Sequence, residues 1–487
     1  MKDQDTDTPQ PERQIPLVVD LDGTLLRTDT LWEGARSACL HAPLRFAGWL
    51  GKLLLNGLRR NGDARLAFKW ELSPWTVQGV PTYPINKEVY ALLQQAVDDG
   101  RPVCLATASP LPVAEEVAGR IGLFSAVFAS TKDRNLIGGE KAKLLTDTYG
   151  QKGFDYIGDS RHDIPVWANA RHAMIAGGQP ALAKKYHLEQ ISKDTPHSGL
   201  RVLARALRLH QWVKNLLVFV PMLAAHAFTL RAFGESLLAF LALSLCASAI
   251  YMVNDVFDLE DDRSHPKKSL RPLASGTLPL IYAPLCFCGC VLAAFLCGAF
   301  LSSRFMGFLL LYLCCSTAYS MLLKKMEILD ILMLAGLYVL RIIMGIAAIK
   351  CEFSQWLFFF FFFLFLGLAT IKRLGALGKD MPEEANSRRG WKREDKAFLL
   401  PLAVACGVGA GIIFWIYCTS DQAMAHYRNS DYLILINIIF IYWYQKIVLL
   451  VNRGVIRDDP LEYAMKEIRN YPLYLGVIAL FCLSLWC

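Results

Sequence analysis

The chain has 487 residues, of which 54% are hydrophobic and 19% charged, with a formal net charge of +8. That length calls for two or more domains, and that apolar content excludes an ordinary soluble enzyme. A disulfide scaffold is excluded as well. Most of the 14 cysteines lie inside apolar runs, among them Cys286, Cys288, Cys290, Cys314 and Cys315, and no CxxC pair occurs, so they read as reduced packing residues.

Residues 1–13 are polar and lack the apolar core of a signal peptide, which predicts a disordered tail. A strand-like run, Leu17 to Val19, then ends in Asp20-Leu21-Asp22-Gly23-Thr24. Side chains two apart on a strand point the same way, so Asp20 and Asp22 face one site. An insertion follows over about 27–100 and contains PLRFAGWLGKLLLNGLRR, with Arg45, Lys52, Arg59 and Arg60. Its composition suits a helix lying on an anionic membrane surface, or an ordinary helix of a cap. Further on, VCLATAS places Thr107 at the end of a second strand, GGEKAKLL supplies Lys141, and FDYIGDSRHDIPVW places Asp159 and Asp163 after a third. Strand ends carrying polar residues, separated by helical stretches, predict a doubly wound parallel α/β sheet over 14–185 with its site at the carboxyl edge.

DxDGT, an intervening Thr and Lys, and GDSxxD, in that order, resemble the four motifs of haloacid dehalogenase superfamily phosphatases. The resemblance implies Asp20 as nucleophile and Asp22 as general acid and base. It also implies that Thr107 and Lys141 hold the phosphoryl oxygens, and that Asp20, Asp22, Asp159 and Asp163 surround Mg2+. A carboxylate attacks an anionic phosphate only where cations neutralise its oxygens, which a lysine and a divalent metal do.

A linker over 186–206 leads to a second domain, 207–487, of long apolar runs joined by short charged links. Runs at 215–230, 233–253, 278–301, 305–323, 328–349, 354–371, 397–419, 431–451 and 473–487 predict an all-α bundle of nine transmembrane helices, at about 20 residues per crossing. Basic residues crowd the loops after even-numbered spans. The positive-inside rule therefore places the first domain and those loops in the cytoplasm of a bacterial inner membrane, with the C-terminus outside. Phe358 to Phe363 read as a lipid-facing stripe.

Between the second and third runs stands YMVNDVFDLEDDRSHPKKSLRPLASG. Asn254, Asp258 and Asp262 recur every fourth residue and share one helical face, with Asp255 beside them. Like charges so spaced repel unless a divalent cation sits among them, and the basic residues that follow suit a diphosphate on that cation. This segment resembles the first aspartate-rich motif of the UbiA superfamily of intramembrane prenyltransferases. Aromatic prenyltransferases of that superfamily carry a second motif, DxxxD, but here Asp330 stands alone at the equivalent place. In its stead come Tyr319-Ser320-x-x-Leu323-Lys324, then Arg341 and Gly345 inside the fifth span. With HQWVKN (Lys214, Asn215), HPKKSLRP (His265, Lys268, Arg271) and DDP at 458–460, the set resembles decaprenyl-phosphate phosphoribosyltransferases.

That resemblance implies Mg2+ in this domain too, held with the leaving diphosphate by Asn254, Asp255, Asp258 and Asp262. It implies Lys268, Arg271 and Lys324 for the donor phosphates, with His265 and Tyr319 beside them, and Lys214 with Asn215 or Arg341 for a lipid phosphate. A second reading of Arg341 pairs it with Asp330 to hold two helices. The charged loop 377–395 is read as a gate or a docking surface. The whole is expected to be a fused enzyme that moves phosphoribose from phosphoribosyl diphosphate to a polyprenyl phosphate and then removes the 5-phosphate, with no nucleic-acid partner. The alternatives are an aromatic prenyltransferase joined to an unrelated phosphatase, and a non-catalytic lipid-binding protein.

Overall fold

The computed structural model describes residues 15–58, 63–177, 179–191, 199–352, 354–377, 390–456, 463–464 and 467–486. The expected tail, Arg59 and Arg60, the middle of the 377–395 loop and Asp458 to Pro460 lie outside the described residues. By its contacts the chain forms two units, Met1–Leu209 with Tyr251–Phe287, and His210–Ile250 with Cys288–Cys487. The first differs from the expected boundary: the aspartate-rich segment groups with the first domain.

In the first unit six parallel strands, β1 Leu17–Val19, β2 Val103–Pro110, β3 Ala126–Ser130, β4 Asp155–Gly158, β5 Ala173–Ile175 and β6 Glu189–Gln190, stand in the order β3-β2-β1-β4-β5-β6. Leu17 pairs with Val103 on one side and with Asp155 on the other. The strand order reverses between β1 and β4, and at such a switch point the strands' carboxyl ends open a crevice. Strands buried on both faces need apolar residues throughout. Val19, Leu105 and Ile157 accordingly join one apolar cluster, and Val18, Cys104 and Tyr156 the other.

The insertion is helical: α1 Thr30–His41, α2 Pro43–Leu58 and α3 Asp63–Gly79. Asp29 caps α1, accepting a hydrogen bond from the Leu31 amide at 2.8 Å. Phe46 and Trp49 of α2 pack on α1 and α3, while Leu44 remains exposed. The next helix, α4 Lys87–Asp98, puts Val89, Leu93 and Ala96 into the sheet's own cluster, so it belongs to the α/β core although it falls within the expected insertion.

Seven helices among the described residues are long and apolar enough to cross a membrane, and nine were expected. The first expected span is a 3-10 run, Leu209–Phe219, followed by a short helix, Val220–Ala224. Pro221 has no amide hydrogen to donate to a preceding α-turn, and left-handed residues, Arg208 and His226, bracket the segment. The last is an apolar helix of 16 residues, Tyr471–Trp486. In the second unit, Glu327–Ile349, Gln355–Ala376, Lys396–Cys418 and Asp431–Asn452 share one apolar core that includes Tyr338, Phe365, Leu399 and Tyr444. Phe360 and Phe365 of the phenylalanine-rich run are buried in this unit, whereas Phe359 is exposed. Only part of that run therefore faces outward.

Candidate functional site

At the β1/β4 crevice Lys141 of a helix, Gly139–Tyr149, reaches Asp20 with Nζ to Oδ1 at 2.9 Å. Both side chains are largely buried, Lys141 at 3% exposure. Lys141 also donates to the Tyr156 hydroxyl at 2.9 Å, and Tyr156 donates to Asp163 at 2.8 Å. Asp163 is further held by the amides of Asp159 and Ser160, each at 3.2 Å. Asp20, Asp159 and Asp163 each offer an oxygen within 4.8 Å of the others, the one such set found among the described residues. Gly23, at φ +74°, makes this closeness possible, since a Cβ there would lie 2.3 Å from Asp159 Oδ2.

Burial, with the nearby Asp163 and Asp22 charges, pushes the Asp20 carboxyl up to about 7 in spite of Lys141. The same causes raise Asp159 well above the usual carboxylate range. A divalent cation relieves both, so the donor set fits Mg2+.

Asp22 takes no part in that set. Its carboxylate accepts from the Thr30 amide at 2.7 Å, the Thr30 hydroxyl at 3.2 Å and the Ser109 hydroxyl at 2.7 Å. Such fixing suits a residue that passes a proton. Thr107 is fully buried on β2, and its hydroxyl accepts from the Ser109 amide at 3.0 Å. The cavity lined by Asp20, Asp22, Lys141, Asp159 and Asp163 measures about 330 Å³.

Elsewhere in the first unit the helix Leu230–Phe257 ends just beyond Asn254 and Asp255. Helical hydrogen bonding continues across the break, from Asp258 N to Asn254 O at 2.9 Å and from Asp262 N to Asp258 O at 2.8 Å. The expected common face is thus kept. Arginines occupy it: Arg271 donates to Asp255 at 3.2 Å and to Asp262 at 2.5 Å, and Arg208 pairs with Asp255. Lys268 stands 3.9 Å from Asp262. Arg271 is therefore engaged by the acidic residues themselves. Asp262 Oδ1 is buried without a hydrogen-bond partner, an orphaned oxygen that fits a cation. His265 uses its ring nitrogen on the amides of Lys267 and Lys268, at 3.2 and 3.4 Å, and so shapes the turn.

In the second unit Arg341 donates to Asn215 at 3.0 Å, to the Tyr312 hydroxyl at 3.1 Å and to its own helix at Leu337 O at 2.7 Å. It lies over the Tyr338 ring at 4.7 Å. Every nitrogen of the guanidinium is engaged, and Arg341 ties the 3-10 segment to the fifth span instead of pairing with Asp330. Gly345 allows that approach, because a Cβ there would meet Val218 O at 2.2 Å. Asp330 pairs with Arg373, and also accepts from Tyr319 at 2.9 Å and from the Trp391 indole at 3.0 Å. Lys324 occupies the 3-10 turn Leu323–Lys325, and Lys214 the run Leu209–Phe219.

The family model described as "UbiA prenyltransferase family" matches residues 215–453, and that described as "haloacid dehalogenase-like hydrolase" matches 17–167. The uncharacterized protein y4nM of Sinorhizobium fredii is 30% identical over 466 residues, covering 94% of this chain and 88% of that one. The chain belongs to one family with y4nM, and its residues 215–453 form a UbiA prenyltransferase-type domain. It joins to that membrane domain a haloacid dehalogenase-like hydrolase domain at the N-terminus. A decaprenyl-phosphate phosphoribosyltransferase of Mycobacterium tuberculosis is 33% identical over 197 residues, 39% of this chain and 64% of that protein. Nodulation protein NoeC of Azorhizobium caulinodans is 27% identical over 285 residues, 58% of this chain and 92% of that protein.

Within this chain the structure adds residues that sequence reasoning missed. Tyr156, Thr30 and Ser109 orient the hydrolase carboxylates, and Arg208 joins the aspartate-rich face. Ser109, two residues beyond Thr107 on the same strand, carried a readable signal through its period of two. Arg208 and Tyr156 carried none.

Proposed function

We propose that the protein transfers 5-phosphoribose from phosphoribosyl diphosphate to a polyprenyl phosphate, and that its hydrolase domain then removes the 5-phosphate to leave polyprenyl-phosphoryl ribose for the cell envelope. The observation that carries the reading is Asp330. Where an aromatic prenyltransferase needs a second metal-binding carboxylate pair, Asp330 is fully buried and its oxygens are taken by Arg373, Tyr319 and Trp391. One aspartate-rich motif is thus left for metal, and the likeness to phosphoribosyltransferases supports the same branch.

In the first step Asn254, Asp255, Asp258 and Asp262 would hold Mg2+, which would supply positive charge to the leaving diphosphate, and Lys268 and Lys324 take donor phosphates. The acceptor phosphate is ionised at neutral pH and attacks the anomeric carbon without a general base. Arg271 is drawn from carboxylate to diphosphate as the donor binds. In the second step Asp20 attacks the phosphorus, Asp22 gives a proton to the leaving oxygen and then takes one from water, and Lys141 and Thr107 hold the phosphoryl oxygens. Mg2+ at Asp20, Asp159 and Asp163 supplies the positive charge that lets one anion approach another.

We place both steps on the cytoplasmic side by the positive-inside rule. Leu209–Ala224 and Tyr471–Trp486 complete nine crossings. A 3-10 run of 11 residues with a helix of five reaches about 30 Å, a hydrocarbon thickness. The test is mass spectrometry of lipids made from labelled phosphoribosyl diphosphate and a polyprenyl phosphate. Phosphoribosylated and ribosylated lipids are expected, and prenylated 4-hydroxybenzoate from a prenyl diphosphate would overturn the reading.

A further inference from the structure

The segment that follows the aspartate-rich helix folds against the hydrolase pocket. Pro279 lines the cavity beside Arg27 and Thr28. Gly276, at φ +73°, presses so closely on this loop that a Cβ would lie 2.2 Å from Arg27 O. The turn is braced internally: Leu278 N donates to Pro272 O at 2.9 Å, and the Ser275 hydroxyl donates to Arg271 O at 2.9 Å. A rigid turn, and not a loose loop, forms this side of the pocket.

A buried ion-pair chain fixes the same loop from behind. Glu33, with a fully buried side chain, pairs with Arg263, whose side chain is 5% exposed. The Thr28 hydroxyl donates to Glu33 at 2.7 Å. Arg36 reaches Glu260 and the Val256 carbonyl. Arg263 therefore grips Glu33, Glu33 grips Thr28, and two residues on Thr30 orients Asp22.

We propose that Arg263–Pro279 is a working part of the phosphatase site, with Pro279 a specificity-determining wall and Arg263 a positioning residue for the loop that aims Asp22. The proposal rests on the phosphatase reading of the Asp20 pocket and goes beyond it. The substrate's leaving group must pass a surface that belongs to the same turn as the diphosphate-binding residues Lys268 and Arg271. The pocket is then shaped for a phosphomonoester on a bulky pentosyl group, and the smallest acyl phosphates discriminate least.

The test uses the full chain in detergent with acetyl phosphate, 4-nitrophenyl phosphate and ribose 5-phosphate. Pro279→Trp narrows the pocket, so KM for ribose 5-phosphate should rise about tenfold while that for acetyl phosphate moves less than about twofold. Pro279→Ala should relax the preference in the opposite direction. Arg263→Met should lower kcat about tenfold for all three with KM unchanged, and Arg263→Lys should recover part of it. A KM ratio unmoved by both Pro279 variants, or a wild-type kcat in Arg263→Met, overturns the inference. A wild-type chain that turns over none of the three sinks the phosphatase reading itself.

Discussion

Binding of Mg2+ to the hydrolase pocket should strengthen steeply with pH, because the cation must displace a proton. Asp20 titrates at about 7 when metal-free, so at pH 7 about half the molecules carry that proton. For one displaced proton the apparent dissociation constant is about twofold above its limit at pH 7 and about a hundredfold above it at pH 5. Asp159, also raised, steepens the dependence further. The stability of the metal-free protein runs the other way. The folded Asp20 carboxyl lies above its ordinary 3.8, so its favourable contribution is complete below about 4 and is lost as pH rises through about 7. Mg2+ should restore what is lost, and at a concentration a hundred times its dissociation constant the gain is about 2.7 kcal/mol. Calorimetric titration and thermal unfolding between pH 5 and 8 measure both. An Mg2+ affinity independent of pH over this range refutes the three-carboxylate assignment.

Asp20→Asn should retain consumption of phosphoribosyl diphosphate and accumulate a lipid one phosphate heavier than the wild-type product, read by mass spectrometry. Asp258→Asn and Asp262→Asn should make no lipid product while the chain still hydrolyses a supplied phosphomonoester; undiminished lipid product in both sinks the aspartate-rich site. Arg373→Met leaves Asp330 buried without its cation, and about 3–5 kcal/mol of lost stability is expected in detergent melts. Gly23→Ala should abolish phosphatase turnover and weaken Mg2+, since the new Cβ occupies the place of Asp159.

What the sequence made legible was the placement of residues that depends on short spacing. Asp20 and Asp22 two apart on a strand end, Asp159 with Asp163, and the four-residue spacing of Asn254, Asp258 and Asp262 are local patterns, and the backbone geometry that gives them meaning is local too. Partnerships across the chain were not legible. Arg341 and Asp330 share one helix, and nothing in their spacing says that the first is bound by Asn215 or the second by Arg373. The 3-10 winding at 209–219, where an apolar run was expected over 215–230, was not legible for a related reason. Composition reports apolarity, whereas Pro221 and the 3-10 winding decide whether that apolarity becomes a regular helix. The grouping of 251–287 with the first domain also escaped, because Glu33 and Arg263 look like surface charges until they are seen together.

That pairing has a consequence in time. Arg36 and Glu260 are 224 residues apart, so at about 5–20 residues per second the ribosome delivers the second roughly 10–45 s after the first. Throughout that interval Glu33 lacks Arg263, and Trp32 and Ala206 lack the apolar partners Leu259, Leu273 and Leu280. The hydrolase domain, although first to be synthesised, finishes folding only after the helix ending at Phe257 has been made. A chain cut between the two family regions, near residue 207, would leave those groups without their partners for good.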